Sequence, residues 1–199
     1  GSPPLGYGEN PHQSSVFDSN LLHSAPSIAN SAQIQGKQLS YNNLLDFDAA
    51  LAIVMEFDEP TAVIVKHNNP CGVASSTNLS DAFNGAMSTD PQSAFGGIIS
   101  FNREVDASLA EEIISSFKEG IIAPSYSKEA LEIFSSKENL RIMETGNLEP
   151  YHRSPSLRSL DGGWLLQEAD EVSISISDCK VVSKRKPTDE ELEGLEFGW

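Results

Sequence analysis

The segment Thr61–Lys66 restricts the possible folds more than any other part of the sequence. Its residues Thr-Ala-Val-Ile-Val are apolar or β-branched without a break, which is typical of a strand buried on both faces of a sheet. Such a strand needs covering helices on both sides. It ends in polar residues and in a predicted turn at 68–72, so we expect its tip to present side chains at the carboxyl edge of the sheet, where ligands bind in open α/β folds.

Amphipathic stretches alternate with short apolar runs around this strand. Helices are predicted at 46–57 with Asp46 or Asp48 as the cap, at 80–87, at 106–117 with Asp106 as the cap, and at 127–135 with Ser127 as the cap. Further strands are predicted at 95–101, 121–123 and 140–143. This alternation indicates an α/β fold with three layers (α-β-α) and a largely parallel or mixed sheet that carries helices on both faces.

The pattern changes after Glu144. Residues 146–157 are predicted to form a loop, and residues 172–176 alternate apolar residues with serine in the manner of an edge strand. Thr188 and Glu191 have the spacing of a capping box, so a helix begins there and ends at 197–199. We expect a truncation at this point, or a partner chain that covers it. Residues 1–2 resemble a cloning scar, which leaves one domain at 3–199.

Composition excludes several classes of protein. The net charge of −16 argues against nucleic-acid binding, which needs a positive face. No apolar run approaches the roughly 20 residues of a membrane span, and the start lacks a signal-peptide pattern. Two cysteines cannot form the disulfide framework of a small secreted domain. We therefore expect a cytoplasmic protein. Because the chain is acidic overall, binding of an anionic substrate would require the few basic residues of the protein to be concentrated locally.

The strongest candidate for chemistry is the pair Lys66 and His67 at the tip of the buried strand. A lysine supplies a fixed positive charge, and a histidine supplies a base that titrates near neutral pH. The alternative is that Lys66 is only solvated and that His67 caps the next turn.

Three further segments carry candidate binding residues. The glycines of the run 93–97 would let a substrate approach the backbone and leave N–H groups free for an anion, although a bulge or a tight strand entry explains them equally well. The polar stretch 7–13 has a frayed terminus as its alternative. The stretch 118–124, with Glu119, has a solvated helix end as its alternative.

Two apparent motifs lack the residues that they need. Pro70-Cys71 is similar to half of a zinc deaminase signature, but no cysteine follows two residues later and no His-x-Glu precedes it. We therefore expect no metal. Gly96-Gly97 lacks the spacing of a Walker loop or of a dinucleotide fingerprint, so the sequence does not support ATP or NAD binding.

Taken in order, these segments resemble AICAR transformylase, the formyltransferase portion of bifunctional purine-biosynthesis proteins. The resemblance runs from Leu5 to about Trp199 and is carried by YGENPHQ at 7–13, LSYNN at 39–43, VKHNNPCG at 65–72, TDP at 89–91, SAFGG at 93–97, IIAP at 121–124 and GGWLLQ at 162–167.

The resemblance implies transfer of a formyl group from 10-formyltetrahydrofolate to the 5-amino group of AICAR. It also implies two tandem cytidine-deaminase-like units without zinc, of which this chain is the first, and a homodimer with sites at its interface. Lys66 and His67 correspond to the catalytic pair, with His67 as the base and Lys66 as the stabiliser of the oxyanion. The implied substrate contacts are Tyr7, Asn10, Asn68, Ser93, Phe95, Gly96, Gly97 and Glu119.

The sequence also departs from this family. Gly6 stands where the family usually has an arginine for the nucleotide phosphate, and the sequence leaves open whether Arg103, Arg153 or Arg158 replaces it. The cyclohydrolase domain and the second deaminase-like unit are absent. Three hypotheses follow: a formyltransferase fragment or split subunit that needs a second-half chain, a non-catalytic module that binds AICAR or folate, and a deaminase-like enzyme, against which the missing zinc ligands argue.

Overall fold

The computed structural model of the chain describes residues 4–18, 26–149, 155–170 and 174–199. The chain divides into two compact units, Gly1–Tyr151 and His152–Trp199. The predicted catalytic pair and the predicted substrate contacts lie in the first unit, whereas Arg158, a candidate for the phosphate, belongs to the second.

A six-stranded sheet forms the centre of the first unit. Its strands are β1 (Ala32–Gln35), β2 (Thr61–Lys66), β3 (Asn69–Ser75), β4 (Ile98–Phe101), β5 (Gly120–Ala123) and β6 (Arg141–Glu144), in the spatial order β1-β6-β5-β4-β2-β3. Strands β4, β5 and β6 are parallel, whereas β2 is antiparallel to both of its neighbours and β1 is antiparallel to β6. The sheet is therefore mixed. A tight hairpin after β2 reverses the chain, so β3 runs antiparallel to β2.

Helices cover both faces of this sheet. They are α1 (Tyr41–Val54), α2 (Leu79–Thr89), α3 (Pro91–Ala94), α4 (Ala107–Ile114) and α5 (Lys128–Phe134). Val63 and Val65 face the core beneath α1, whereas Ala62 and Ile64 face the core beneath α2, α4 and α5. Alternate residues of β2 thus enter two separate cores, and this confirms the three-layer α/β class and the strand buried on both faces.

Local capping signals located several helices correctly. Asp106 accepts a hydrogen bond from the main-chain N–H of Leu109 at the start of α4, and Ser127 accepts one from Ala130 at the start of α5. The prediction that α1 begins at Asp46 or Asp48 is wrong. Ser40 and Asn43 form a capping box that satisfies the first amides, so α1 begins at Tyr41, and it ends at Val54.

The turn predicted at 68–72 is also wrong in extent. Only His67 and Asn68 form the turn, and Asn69–Ser75 continues as strand β3. β3 lies at the edge of the sheet, where Pro70 can be accommodated because an edge strand need not donate every N–H. The strand expected from residue 95 starts only at Ile98, because the preceding residues form the short helix α3.

The second unit contains a hairpin and a helix. Strands β7 (Ser156–Leu160) and β8 (Gly163–Gln167) are antiparallel, so the loop predicted through residue 157 ends earlier. Residues 172–173 of the predicted edge strand lie outside the described residues, and Ser175 caps a 3-10 helix (Ile176–Asp178), so its described part is not a strand. The predicted capping box of Thr188 and Glu191 is confirmed at the start of α6 (Asp189–Gly198). None of the helices in the described ranges is long and apolar enough to cross a membrane.

Candidate active site

Lys66 is the last residue of β2. The prediction that it lies at the carboxyl edge of the sheet is wrong, because β2 runs antiparallel to β4 and Lys66 therefore lies at the end of the sheet where the parallel strands β4 and β5 begin. The Nζ of Lys66 donates a hydrogen bond to the main-chain oxygen of Phe95 at 2.9 Å. Because β2 runs antiparallel to β4, with Val65 opposite Ile98, the end of β2 lies beside the loop that leads into β4. The hydrogen bond to Phe95 holds the ammonium group of Lys66. The residue is half-buried, so it is still in contact with solvent.

His67 and Asn68 form a two-residue turn with an uncommon backbone. Their φ angles are 54° and 64°, and both lie in the left-handed region. Two positive φ angles in succession define the type I′ hairpin turn, in which Asn-Gly is the preferred pair. Here a histidine occupies the first position, and its side chain is exposed beyond the sheet. The turn thus carries an exposed imidazole at the tip of the hairpin formed by β2 and β3.

Asp46 of α1 lies against this turn. Its Oδ1 accepts a hydrogen bond from the main-chain N–H of Asn68 at 2.6 Å. Burial raises the pKa of Asp46 above its ordinary value, the Asn68 amide and the charge of His67 lower it, and the charge of Glu119 raises it. Asp46, His67 and Glu119 are therefore near enough to interact electrostatically.

Glu119 is held at the same edge of the sheet, immediately before β5. Its Oε2 accepts a hydrogen bond from Asn43 Nδ2 at 3.0 Å, and its main-chain N–H donates to Gly97 O at 3.2 Å. Asn43 is buried within the capping box of α1. The alternative of a solvated helix end is wrong, because α4 already ends at Ile114 and Glu119 has fixed partners.

The loop 93–97 has few groups free for a ligand. The Ser93 hydroxyl donates to Asp90 Oδ2, and the N–H groups of Gly96 and Gly97 donate to Phe117 O at 2.9 Å and to Ala94 O at 3.3 Å. The expectation that the glycine amides are free to bind an anion is therefore wrong. Gly96 has a φ of 72°, and a Cβ on Gly97 would lie 3.0 Å from Ile64 Cγ2, so both glycines serve the tight entry into β4.

Phe95 presents an apolar surface on this loop. Its side chain is exposed and packs on Phe117, with the ring centroids 5.4 Å apart and the planes tilted by 45°. Phe117 also lines the neighbouring cleft. An aromatic pair therefore connects the loop beside Lys66 with the cleft.

A cleft of about 850 Å³ adjoins Glu119. Tyr7, Asn43 and Phe117 contribute to its wall, together with the basic residues Lys37, Lys118, Lys137 and Arg141. The described residues of the first unit contain seven basic residues, namely those four with Lys66, Arg103 and Lys128. Four of the seven thus line a single cleft in a chain of net charge −16, where they outnumber the two acidic residues, Glu119 and Glu138, that line it as well. This excess of basic side chains is the local concentration expected for an anionic ligand.

The stretch near the start of the chain is anchored to the body of this unit. The main-chain oxygen of Tyr7 accepts hydrogen bonds from Tyr41 N at 3.2 Å and from Ser15 Oγ at 2.7 Å. The Tyr7 segment is therefore not a frayed end. Asn10 instead bonds Gln13 Oε1 within a local turn at 2.9 Å. Of the predicted site residues, which all belong to the described part of the chain, Tyr7 and Glu119 line the cleft and the others, Lys66 and His67 included, do not.

Of the three proposed substitutes for an arginine at position 6, Arg103 is the one that lies in the described part of the first unit, and it does not line the cleft. The Arg103 guanidinium donates to the carbonyl oxygens of Asn102 and Asp58, at the opposite end of β4 from Gly97. Arg153 lies outside the described residues, and Arg158 belongs to β7 of the second unit.

Arg141 is the basic residue that the sequence reasoning missed. Its Nε and Nη2 donate to Gln38 O at 3.3 Å and 3.2 Å, and it lines the cleft. The main-chain N–H of Gly6 donates to the main-chain oxygen of Leu39, the residue after Gln38, at 3.2 Å. The Arg141 guanidinium thus lies near the backbone of position 6. The one indication in the sequence that Arg141 belongs to the site was its place at the start of a predicted strand.

The residues near Cys71 give no indication of a metal site. Cys71 Sγ lies 3.5 Å from the main-chain oxygen of Ile64, and burial raises the pKa of the thiol. Within the described ranges, no group of three or more His, Cys, Asp or Glu side chains is arranged to hold a metal ion.

The fold and the site together define a three-layer α/β protein in which a hairpin turn carries the exposed His67 next to the half-buried Lys66. A cleft lined by four basic residues includes Glu119 but neither member of this pair. A family model described as "AICARFT/IMPCHase bienzyme" matches residues 2–199, and the chain belongs to that family. This is the family of enzymes that comprises AICAR transformylase and IMP cyclohydrolase of purine biosynthesis.

Two solved structures of RibD from Acinetobacter baumannii are similar to part of the chain. Form 1 has a TM-score of 0.41 at 15% identity, and the match covers 49% of this chain and 35% of that chain. Form 2 has a TM-score of 0.37 at 14% identity, and the match covers 49% and 33%. The matched region spans about a third of either RibD chain, and the fold class rests on the sheet order and the two cores described above.

Proposed function

We propose that this chain provides the Lys66–His67 part of a formyltransferase site, which transfers a formyl group from 10-formyltetrahydrofolate to the 5-amino group of AICAR. The observation that carries the proposal is the exposed His67 on a fixed turn, next to a lysine whose ammonium is anchored to Phe95 O. Family membership supplies the reaction class.

The chemistry requires a base and a stabiliser of negative charge. The 5-amino group of AICAR is a weak nucleophile, because its lone pair is delocalised into the ring and toward the carboxamide. His67 accepts the amine proton as nitrogen attacks the formyl carbon, and Lys66 stabilises the charge that develops on the formyl oxygen. When the tetrahedral intermediate collapses, the bond between the formyl carbon and N10 of the folate breaks, N10 takes the proton back from His67, and tetrahydrofolate leaves. An ammonium has three N–H donors, of which the bond to Phe95 O uses one, so donors remain for an oxyanion.

The cleft beside Glu119 accommodates the nucleotide in this proposal. One Glu119 oxygen is held by Asn43, and the carboxylate retains capacity to accept from an amino or amide group of the substrate. Lys37, Lys137 and Arg141 provide the positive charge that a phosphate monoester requires. Tyr7 and Phe117 offer aromatic surface to the ring.

The remaining elements of the proposal follow from the family. The folate is a co-substrate, no metal takes part, and the complete site uses a second deaminase-like unit, a second copy of the chain, or both. We place the reaction in the cytoplasm, without nucleic-acid or membrane partners.

The test compares His67→Ala with His12→Ala. His12 is exposed in the turn near Asn10, so it is a matched loss of one imidazole. With the second unit supplied, His67→Ala is expected to lower the rate of formyl transfer about 100-fold or more, and His12→Ala to leave it within about threefold. AICAR affinity, measured by calorimetry, is expected to change little in both. Wild-type turnover of His67→Ala would refute the assignment of the base.

The alternative is a non-catalytic module that binds AICAR or folate, and Gly6 in place of the family's arginine favours it. Titration of the chain with AICAR and with a folate analogue, with and without the second unit, separates the two. Binding without transfer under every condition would favour the module.

A further inference from the structure

Asp46 connects helix α1 to the turn that carries His67. Its Oδ1 lies 2.6 Å from the main-chain nitrogen of Asn68, although the two residues are 22 positions apart in the sequence. Asp46 belongs to the second turn of α1, whose neighbours Phe47, Ala50 and Leu51 are buried in the core beneath the helix. The carboxylate is therefore presented by a fixed element rather than by a loop.

The turn itself needs such support. Each residue with a Cβ in the left-handed region costs about 1–2 kcal/mol relative to the right-handed form, and both His67 and Asn68 are in that region. The pairing of β2 with β3 also shifts register between Ile64 and Val65, immediately before the turn. The strand pairing alone is thus irregular where the turn begins, whereas Asp46 binds the turn directly.

We propose that Asp46 is a positioning residue for His67: its carboxylate holds the Asn68 amide and thereby fixes the left-handed turn that directs the imidazole toward the substrate. The part of this inference that concerns catalysis rests on the proposed function. The part that concerns the turn does not. A displacement of about 1 Å in a reacting group can cost about 100-fold in rate, so a loosened turn has a measurable consequence.

The charges around the imidazole limit what a substitution changes. Asp46 on α1 interacts electrostatically with His67 and with Glu119 of the segment before β5, and Lys66 precedes His67 in the chain. An asparagine at position 46 keeps an oxygen that can accept from the Asn68 amide and removes the charge. An alanine removes both. Because burial raises the pKa of Asp46, the charged form is costly in the folded chain, and Asp46→Asn is expected to fold normally.

The first measurement is amide hydrogen exchange of the whole chain. In Asp46→Ala the Asn68 amide is expected to exchange at least tenfold faster than in the unsubstituted chain, whereas in Asp46→Asn it changes by less than about threefold. Asp48→Ala is the matched control on the same helix, since Asp48 is exposed, and it should leave Asn68 unchanged. Unaltered protection at Ile64, in the centre of β2, shows that each variant is folded.

The second measurement is the steady-state rate of formyl transfer with the second unit supplied. Asp46→Ala is expected to lower kcat about 10-fold to 100-fold with less than a threefold change in KM, and Asp46→Asn is expected to retain kcat within about threefold. A role limited to folding would lower kcat only together with the protection of Ile64, which reports the folded fraction of each variant.

Two results would overturn the inference. One is Asn68 exchange in Asp46→Ala equal to that in Asp48→Ala. The other is an Asp46→Asn variant as impaired as Asp46→Ala, which would show that His67 depends on the charge and not on the hydrogen bond. If His67→Ala transfers formyl groups normally while Asp46→Ala loses protection at Asn68, the proposed function fails and the role of Asp46 in the turn stands.

Discussion

Asn43 and Glu119, 76 positions apart in the sequence, are joined by a hydrogen bond of 3.0 Å from Asn43 Nδ2 to Glu119 Oε2. The Oδ1 of the same asparagine accepts from the main-chain N–H of Ser40 at 3.1 Å and from its hydroxyl at 2.8 Å. One buried amide therefore starts helix α1 and holds a carboxylate at the wall of the cleft.

This double role predicts the effect of Asn43→Asp. The new carboxylate can still accept from Ser40, but it faces Glu119 with a second negative charge in place of a donor. We expect the free energy of unfolding to fall by about 1 kcal/mol or more at pH 7, and the loss to shrink as the pH falls and the carboxylates bind protons. Urea unfolding at pH 7 and pH 4 measures both effects. Asn42→Asp, which is exposed on the same turn, is the control.

The left-handed turn makes a separate prediction at Asn68. Asparagine is tolerated in the left-handed region, and glycine enters it without steric cost. The Cβ of alanine makes this region unfavourable. Asn68→Ala is expected to lower the free energy of unfolding by about 1 kcal/mol, and Asn68→Gly to leave it unchanged or to raise it slightly. Chemical denaturation of the two variants decides the matter. Equal stabilities for Ala and Gly would mean that the positive φ carries no cost here.

A close approach between β3 and α2 predicts the result of Gly72→Ala. A Cβ at position 72 would lie 2.1 Å from the main-chain oxygen of Ala86, and backbone cannot rotate away as a side chain can. We expect a loss of about 1–3 kcal/mol in the free energy of unfolding. Gly163→Ala is the comparison, because a Cβ there meets no atom within 4 Å, and it should change stability by less than about 0.5 kcal/mol.

The parts of the fold that could be predicted depend on short stretches of sequence. A continuous apolar run specified β2, and single capping residues such as Asp106 and Ser127 specified helix starts, because each signal acts on residues a few positions away. Strand β3 was missed because its first residues, Asn69 and Pro70, are common in turns and become a strand only by pairing with β2.

The site could be predicted less completely, because its geometry depends on distant pairs. Lys66 and His67 were found from their place after a buried strand. Asp46 was interpreted as a helix cap, yet it binds a turn 22 positions away, and Arg141 reaches Gln38 across 103 positions. The loop 93–97 was expected to offer amides, but those amides bond within the protein. No local pattern encodes these contacts.

The last prediction concerns Lys118, which is only 5% exposed. Its Nζ donates to Ser116 Oγ at 2.7 Å and to Phe117 O at 3.4 Å, and burial lowers its pKa below the ordinary value of 10.5. Between the lowered pKa and 10.5 the unfolded chain binds more protons than the folded chain, so stability contributed by this group rises with pH across that window. Below the window the full cost of the buried charge is present.

Lys118→Met removes that charge and keeps a flexible side chain of similar length. We expect it to raise the free energy of unfolding at pH 7 by about 1 kcal/mol, and the gain to diminish as the pH rises toward 10.5, because the lysine of the folded wild-type chain then loses its buried charge. Lys128→Met is the matched control, since its side chain is 85% exposed and pairs with Glu132 only at 3.9 Å. Urea unfolding at pH 7 and pH 10 tests both variants. A Lys118→Met protein less stable than the wild type at pH 7 would show that the hydrogen bond to Ser116 outweighs the cost of burying the ammonium.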